Sequence, residues 1–461
     1  MNPVSLYYLA IETSKCTGHF GKEFEMAKEF KYRDIVKSPE YRKLLLTNLV
    51  NRFGDSVDAI AFTWLVYEIT GSASWSALIF GLNMLPNIIV QPFAGPVIEK
   101  LDKKKVIVAT HILRGIVISA FVGMYLAGIV NPFIMAGFTL LITTIESFNL
   151  PATTAFIPSV IRKEHLTHAM SLNSTLSSAM ALVGTGLAGI IIAKFGVYTA
   201  MLIDAATFFI AAFGTSTIRR LNEVEVSVGN SKEASDSSEQ TSKESYMSLL
   251  KGGIKYIAKN RVILNYCFVA VILNFLLVPI NSLLAPLAED VYGLGSELLS
   301  VAGIAFSLGA ILGSAVVPMI TEKMSAKSTL VVFGLVLGGG MYALSLGRYL
   351  HGAVLPGYLL AGTCYVVVSF AASVLGGAIS VMFVKVVDQS YLARAGAIFN
   401  ASATAATPVG SVLVSVMALK LNPALLIAVS AGLALLLFIF VAISSLKFDM
   451  KEEQLNAAES I

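Results

Sequence analysis

The chain has 461 residues, of which 56% are apolar and only 13% charged, with a formal net charge of +4. A typical soluble domain is about 25% charged, so this charge density cannot solvate a globular surface of that size, and a soluble domain is excluded. The basic excess does not point to nucleic acid, because the lysines and arginines are spread over many short segments and build no basic face.

Apolar runs of about 20 residues, the length that crosses a hydrocarbon core as a helix, recur along almost the whole chain. Twelve are predicted: 44–68, 75–98, 106–128, 133–153, 169–193, 198–217, 262–288, 298–320, 328–347, 353–383, 395–418 and 423–446. They neither alternate nor stop at the ten or so residues of a barrel strand, so a transmembrane barrel is excluded. The expected fold is an all-α polytopic membrane protein with 12 transmembrane helices in two pseudo-symmetric six-helix bundles, 44–217 and 262–446. Residues 1–43 form an N-terminal segment with no cleavable signal pattern. Within it Glu23–Lys43 mixes aromatic and charged residues and suits the membrane surface. Residues 218–261 link the halves. Gly229–Ser245 of this linker is too rich in Ser, Glu and Lys to fold, and Tyr246–Ala258 has the spacing of a surface helix. Residues 447–461 are a short polar tail.

Placing the N-terminus in the cytoplasm puts 28 of the 33 basic residues in cytoplasmic segments. Lys194, Arg348 and Lys420 fall outside, and Arg52 and Arg114 fall inside spans. The positive-inside rule selects this orientation, with both termini cytoplasmic. Cys16, Cys267 and Cys364 have neither disulfide nor metal-ligand spacing, and no metal or cofactor is expected.

The halves carry corresponding landmarks. Glu99-Lys100-Leu101-Asp102-Lys103-Lys104 returns as Glu322-Lys323-Met324-Ser325-Ala326-Lys327, and the same offset pairs Asn51 with Asn274 and Asp58 with Asn281. Internal duplication of a helical membrane bundle is the architecture of alternating-access transporters.

Several phrases resemble the drug:proton antiporter branch of the major facilitator superfamily, which includes macrolide efflux proteins and some siderophore exporters. The loop after span two, Gly95-Pro96-Val97-Ile98-Glu99-Lys100-Leu101-Asp102-Lys103-Lys104, keeps every charge sign of that family's G-x-x-x-D-R-x-[GD]-R-[RK] pattern. Gly54-Asp55, Leu85-Pro86, Leu166-Thr-His-Ala-Met-Ser-Leu-Asn173 and Leu202-Ile-Asp204-Ala-Ala-Thr-Phe208 are similar to the same branch. The resemblance covers 40–446 and begins after Met26, which is an alternative start. It implies that Gly95, Glu99, Lys100, Asp102 and Lys104 are gating residues that latch the two halves on the cytoplasmic side in an outward-open state. Two departures stand out. Span five reads Gly184-Thr185-Gly186-Leu187-Ala188-Gly189 without the proline common in antiporters, and the charge of span four is Glu146 where many relatives carry an arginine.

Ionisable residues inside spans cost about 2.5–3.5 kcal/mol each at the centre on insertion scales, so the few present should face a partner or a cavity. Asp55, Asp58, Glu146 and Asp204 are the candidates for proton coupling or substrate contact, with Arg52 and Arg114 as supporting charges. Asp55 and Asp58 share one helix face with Arg52 a turn below, and a pair of nearby carboxylates can load and release a proton. The alternative is an Arg52–Asp55 pair that locks span one; for Glu146 it is a structural pairing with Arg114. Phe62, Trp64 and Tyr67 line a cavity or form an interfacial belt. The expected function is export of amphipathic small molecules by alternating access with proton antiport. Export of a siderophore, peptide or lipid, or uptake by the same fold, is the alternative. No nucleotide-binding loop, His-x-x-x-His, HExxH or Gly-x-Ser-x-Gly occurs, so an enzyme is not expected. Substrate, protons and the lipid bilayer are the expected partners of a monomer in the plasma membrane.

Overall fold

A computed structural model describes residues 38–99, 101–161, 166–220, 256–388, 391–446 and 448. The expected surface helices Glu23–Lys43 and Tyr246–Ala258 fall almost wholly outside these residues, as do the alternative start at Met26, most of the linker and nearly all of the tail.

No β-strand occurs among the described residues. The chain forms α1 (Pro39–Thr70), α2 (Ala73–Ile89), α3 (Gln91–Glu99), α4 (Lys103–Leu126), α5 (Pro132–Phe156), α6 (Leu166–Phe195) and α7 (Val197–Ser216). After the linker come α8 (Arg261–Leu276), α9 (Val278–Ser282), α10 (Leu284–Pro286), α11 (Glu297–Lys323), α12 (Ala326–Ser345), α13 (Val354–Val386), α14 (Leu392–Ala418) and α15 (Pro423–Ile443).

Polar residues between the apolar runs set the helix starts. Ser38, Ser72, Asp102, Asn131, Ser325 and Asn422 each accept a hydrogen bond from a first-turn amide of the helix that follows. This satisfies a donor that the helix itself cannot. Proline at the first helical position of α1, α5 and α15 fits the same logic. At the other end of α1, Gly71 adopts φ +55 and closes the helix.

Among the described residues, ten helical segments are long and apolar enough to cross a membrane. Large apolar side chains cover their outer surface, with Phe133 77% and Ile443 83% exposed. Such a surface is stable only in lipid, so the protein is integral to a membrane. The twelve-span count also requires α1 and the α2–α3 pair, which fall outside those ten.

Three boundaries differ from the sequence reading. The first helix begins at Pro39 rather than 44, because Ser38 and Pro39 supply a start signal upstream of the apolar run. Span two breaks at Val90, between Pro86 and Pro92, into α2 and α3. Span seven is interrupted by Pro279 and Pro286 and runs on into a π-helical turn, Leu287–Val291.

Helix contacts sort the elements into two groups. In the first half α1 packs on α6 and α7, and α4 on α5 and α7. In the second, α11 and α12 pack on α13, and α12 on α15. The halves meet along α2 with α14 and along α6 with α11.

Hydrogen bonds join the halves at one end of the molecule. Tyr67 donates to Asp290, the Ser74 and Ser415 hydroxyls lie 2.9 Å apart, and the Gly189 amide donates to Ser300 Oγ at 2.7 Å. Tyr67 and Asp290 are 223 residues apart, the offset of the internal repeat. A residue in contact with its own repeat counterpart lies on the pseudo-twofold axis, so the axis passes between α1 and the π turn at this end.

At the opposite end the connecting segments bind within their own half. Lys104 Nζ donates to the Ile218 carbonyl at 2.8 Å and Arg220 pairs with Asp102, while Lys327 Nζ donates to the Ser444 carbonyl at 2.7 Å. Partial burial pushes the Asp102 carboxyl up, but the Lys105 amide and the Arg220 guanidinium outweigh it and hold the group below the ordinary carboxylate range. A depressed carboxyl stabilises the fold above its unfolded-state value, and that contribution fades as pH falls through the folded-state value. Hydrogen-exchange protection of the Lys105 amide should therefore drop on acidification, and Asp102→Asn should flatten that dependence.

Candidate functional site

The repeat of polar positions on α1 places Asn51, Asp55 and Asp58 within two turns, spaced by four and three residues, on the side that faces the rest of its half. Asp55 Oδ2 accepts from Asn51 Nδ2 at 2.8 Å, and Asp55 Oδ1 accepts from the Arg114 guanidinium at 3.1 Å. Arg114 comes from the middle of α4 and is buried. The same nitrogen, Nη2, lies 3.9 Å from Glu146 Oε2 on α5, and the guanidinium stands 4.1 Å from the centre of the Phe208 ring on α7. One arginine thus links four helices of the first half.

Asp204 on α7 is 1% exposed. Its Oδ1 accepts from Thr207 Oγ1 at 3.4 Å, and its Oδ2 has no hydrogen-bond partner. Asp58 Oδ1 is likewise buried without a partner. The same region therefore holds four carboxylates and one guanidinium, and a single cation cannot satisfy four carboxylates in a medium of low dielectric.

Gly54 permits this approach. A Cβ at Gly54 would come within 2.6 Å of Asp204 Oδ1 and would overlap the Thr207 hydroxyl. Gly54→Val should push α1 and α7 apart at the acidic cluster and lower transport at least tenfold without lowering the amount of protein in the membrane. Transport rates normalised to a tagged-protein blot check this.

A cavity of about 270 Å³ adjoins the cluster. Asp58, Phe62, Phe80, Asn83, Asn281 and Ser282 stand on its wall, contributed by α1, α2 and α9. Asp58 and Asn281, paired by the repeat, therefore face one space from opposite halves.

The structure brings Asp55, Asp58, Glu146, Asp204 and Arg114 together but not Arg52. Arg52 is exposed and makes no ion pair within 4 Å among the described residues, and both Asp55 oxygens are already engaged by Asn51 and Arg114. The Arg52–Asp55 lock is thereby corrected: Arg114 holds Asp55. Glu146 remains 45% exposed at its side chain despite its place on a span. Thr143 and Ser147 beside it donate to carbonyls of their own helix, and Ser147 also reaches Asn87 Oδ1 at 3.3 Å.

Of the residues expected to gate, Asp102 caps α4 and Lys104 reaches the Ile218 carbonyl just past α7. Gly95 and Glu99 belong to α3, and Lys100 lies outside the described residues.

Two features escaped the sequence reading. His111 sits buried in α4, with its ring 5.9 Å from Phe208 and its Nδ1 unpartnered. The Tyr67–Asp290 contact was detectable in principle, since the two residues obey the repeat offset.

The sequence model of the Major Facilitator Superfamily matches residues 44–375. The chain belongs to this superfamily. This member is a membrane transporter and not an enzyme, and efflux pumps are among its relatives. It is 22% identical over 380 residues to the multidrug efflux pump Tap of Mycolicibacterium fortuitum, covering 81% of this chain and 88% of that one. It is 20% identical over 365 residues to macrolide efflux protein A of Streptococcus pyogenes, covering 78% and 84%. Among solved structures, the nucleoside transporter NupG superposes with a TM-score of 0.69 at 13% identity over 88% of this chain and 100% of that one, a likeness of fold alone.

Proposed function

We propose that this superfamily member exports amphipathic small molecules by alternating access, coupled to proton entry. The observation that carries this reading is the cluster of four carboxylates around the single guanidinium of Arg114, bordering a cavity shared by both halves. Intramembrane acids without enough counter-charge are suited to bind protons or a cationic substrate in turn. The relatives named as efflux pumps support export over uptake.

In this reading the Tyr67 end is the outer end, because it places the basic connecting segments in the cytoplasm. The hydrogen bonds of Tyr67, Ser74 and Gly189 then close the outer face, and the conformation is the inward-facing one. Rocking of one half on the other breaks those contacts, opens the cavity outward and frees the Gly95–Lys104 loop to latch the halves from the cytoplasmic side. A proton arriving at Asp58 or Glu146 displaces a bound cation and returns the transporter inward. The protein acts as a monomer in the plasma membrane, with both termini in the cytoplasm.

The test is efflux of a fluorescent cationic dye from everted vesicles with and without an imposed pH gradient. Glu146→Gln should abolish the gradient-dependent part while leaving expression intact. Gradient-driven export that survives in both Glu146→Gln and Asp58→Asn removes these residues from the coupling path.

A further inference from the structure

The cavity between α1, α2 and α9 has an unusual balance of hydrogen-bonding groups. The Thr63 hydroxyl donates to the Ala59 carbonyl at 2.7 Å and the Ser76 hydroxyl to the Ser72 carbonyl at 3.3 Å, so both present lone pairs to the space they line. Asn281 donates from Nδ2 to the Leu277 carbonyl at 3.0 Å, which leaves its Oδ1 as a free acceptor. Asp58 adds a carboxylate to the wall, its Oδ1 buried behind the surface without a hydrogen-bond partner. Asn83 and the second N–H of Asn281 are the wall groups that keep donors free, while the unpartnered Ser282 hydroxyl is itself buried. Acceptors therefore dominate, and the net charge on the wall is negative.

The rest of the wall is apolar and aromatic. Phe62 is held against Phe138 and Phe121, with ring centres 5.4 and 6.2 Å away, so part of its face is already committed to neighbours. Phe62 and Phe80 offer a slot for an apolar body rather than a box of ring faces around a cation. The volume of about 270 Å³ lies just under the roughly 300–1,000 Å³ of drug-sized pockets.

We propose that this cavity selects a compact protonated primary or secondary amine with an apolar body. Its N–H groups bridge Asp58 of the first half and Asn281 Oδ1 of the second, the repeat-related pair, so that the ligand itself ties the halves together. A quaternary ammonium carries the same charge but no N–H donor, and would leave the acceptors of Thr63, Ser76 and Asn281 desolvated and unmatched. This inference rests on the transport reading of the same cavity, to which it adds the chemistry of the substrate.

The test uses the full chain in lipid nanodiscs at pH 7 and titrates three matched probes by calorimetry: 3-phenylpropylamine, its N,N,N-trimethyl quaternary form and 3-phenylpropan-1-ol. The amine should bind at least tenfold more tightly than either analogue. Asn281→Leu should weaken the amine at least fivefold, and Asp58→Asn should erase the preference for amine over alcohol. Equal binding of amine and quaternary form, equal binding of amine and alcohol, or binding of none of the three overturns the inference. The selectivity needs no variant to be measured, so a failure of either variant to fold does not shield it. Gradient-driven dye export by a protein that shows no amine selectivity sinks this inference and spares the transport reading. Amine selectivity with no gradient-driven export does the reverse.

Discussion

Arg114→Leu should be the most damaging single substitution in the first half, lowering stability by about 3 kcal/mol, toward the lower end of the range for breaking a buried ion pair. The side chain pairs with Asp55 at 3.1 Å, stands 3.9 Å from Glu146 and packs over Phe208. Its loss leaves carboxylates on α1, α5 and α7 with no cation among them, and the cost lies mainly in those stranded charges rather than in the missing contact. Removing one of them should therefore compensate. Asp55→Asn combined with Arg114→Leu should recover at least a third of the lost stability, a coupling that a double-mutant cycle of melting temperatures in detergent measures. Additive losses would show that Arg114 acts by packing alone.

A disulfide across the outer end should stop transport. The hydroxyls of Ser74 and Ser415 are 2.9 Å apart on opposite halves, so cysteines there can approach the bond length of about 2.05 Å with small adjustments. In a background with Cys16, Cys267 and Cys364 replaced by serine, Ser74→Cys with Ser415→Cys should crosslink under mild oxidant and cut export by more than 90%, and reductant should restore it. Either single cysteine variant should transport normally throughout. Tyr67→Phe, which removes the donor to Asp290 on the axis, should slow crosslinking because the outer end opens more often. Undiminished transport by the crosslinked protein would mean that the halves do not separate there.

The helical architecture was legible in the sequence because lipid forces every span to be a long apolar run, and the polar caps between runs set most starts. The breaks in spans two and seven depend on how prolines are accommodated by neighbouring helices, which hydropathy does not record. Of the six charges singled out by the cost of placing charge in lipid, Asp55, Asp58, Glu146, Asp204 and Arg114 lie together in the structure and Arg52 does not. Arg52 lies as far along α1 as Arg114 does along α4; depth along the chain does not separate them, whereas packing does, since Arg52 is exposed and Arg114 is buried against Asp55 and Phe208. The pairing of Asp55 with Arg114 rather than Arg52 depends on how α1 and α4 pack, which no spacing rule contains. The meeting of Asp58 and Asn281 at one cavity was implied by the internal repeat, since repeat mates on axis-proximal helices face each other. The surplus of acceptors on the cavity wall became readable only once Thr63, Ser76 and Asn281 were seen to donate to backbone carbonyls of their own helices.

The most direct test of the coupling cluster is proton movement itself. With the protein in proteoliposomes and a pH-sensitive dye in the lumen, addition of substrate to one side should drive a proton flux in the opposite direction, and Asp58→Asn with Glu146→Gln should abolish that flux while substrate still binds. Undiminished substrate-driven proton flux in the double variant would contradict the assignment of coupling to these acids.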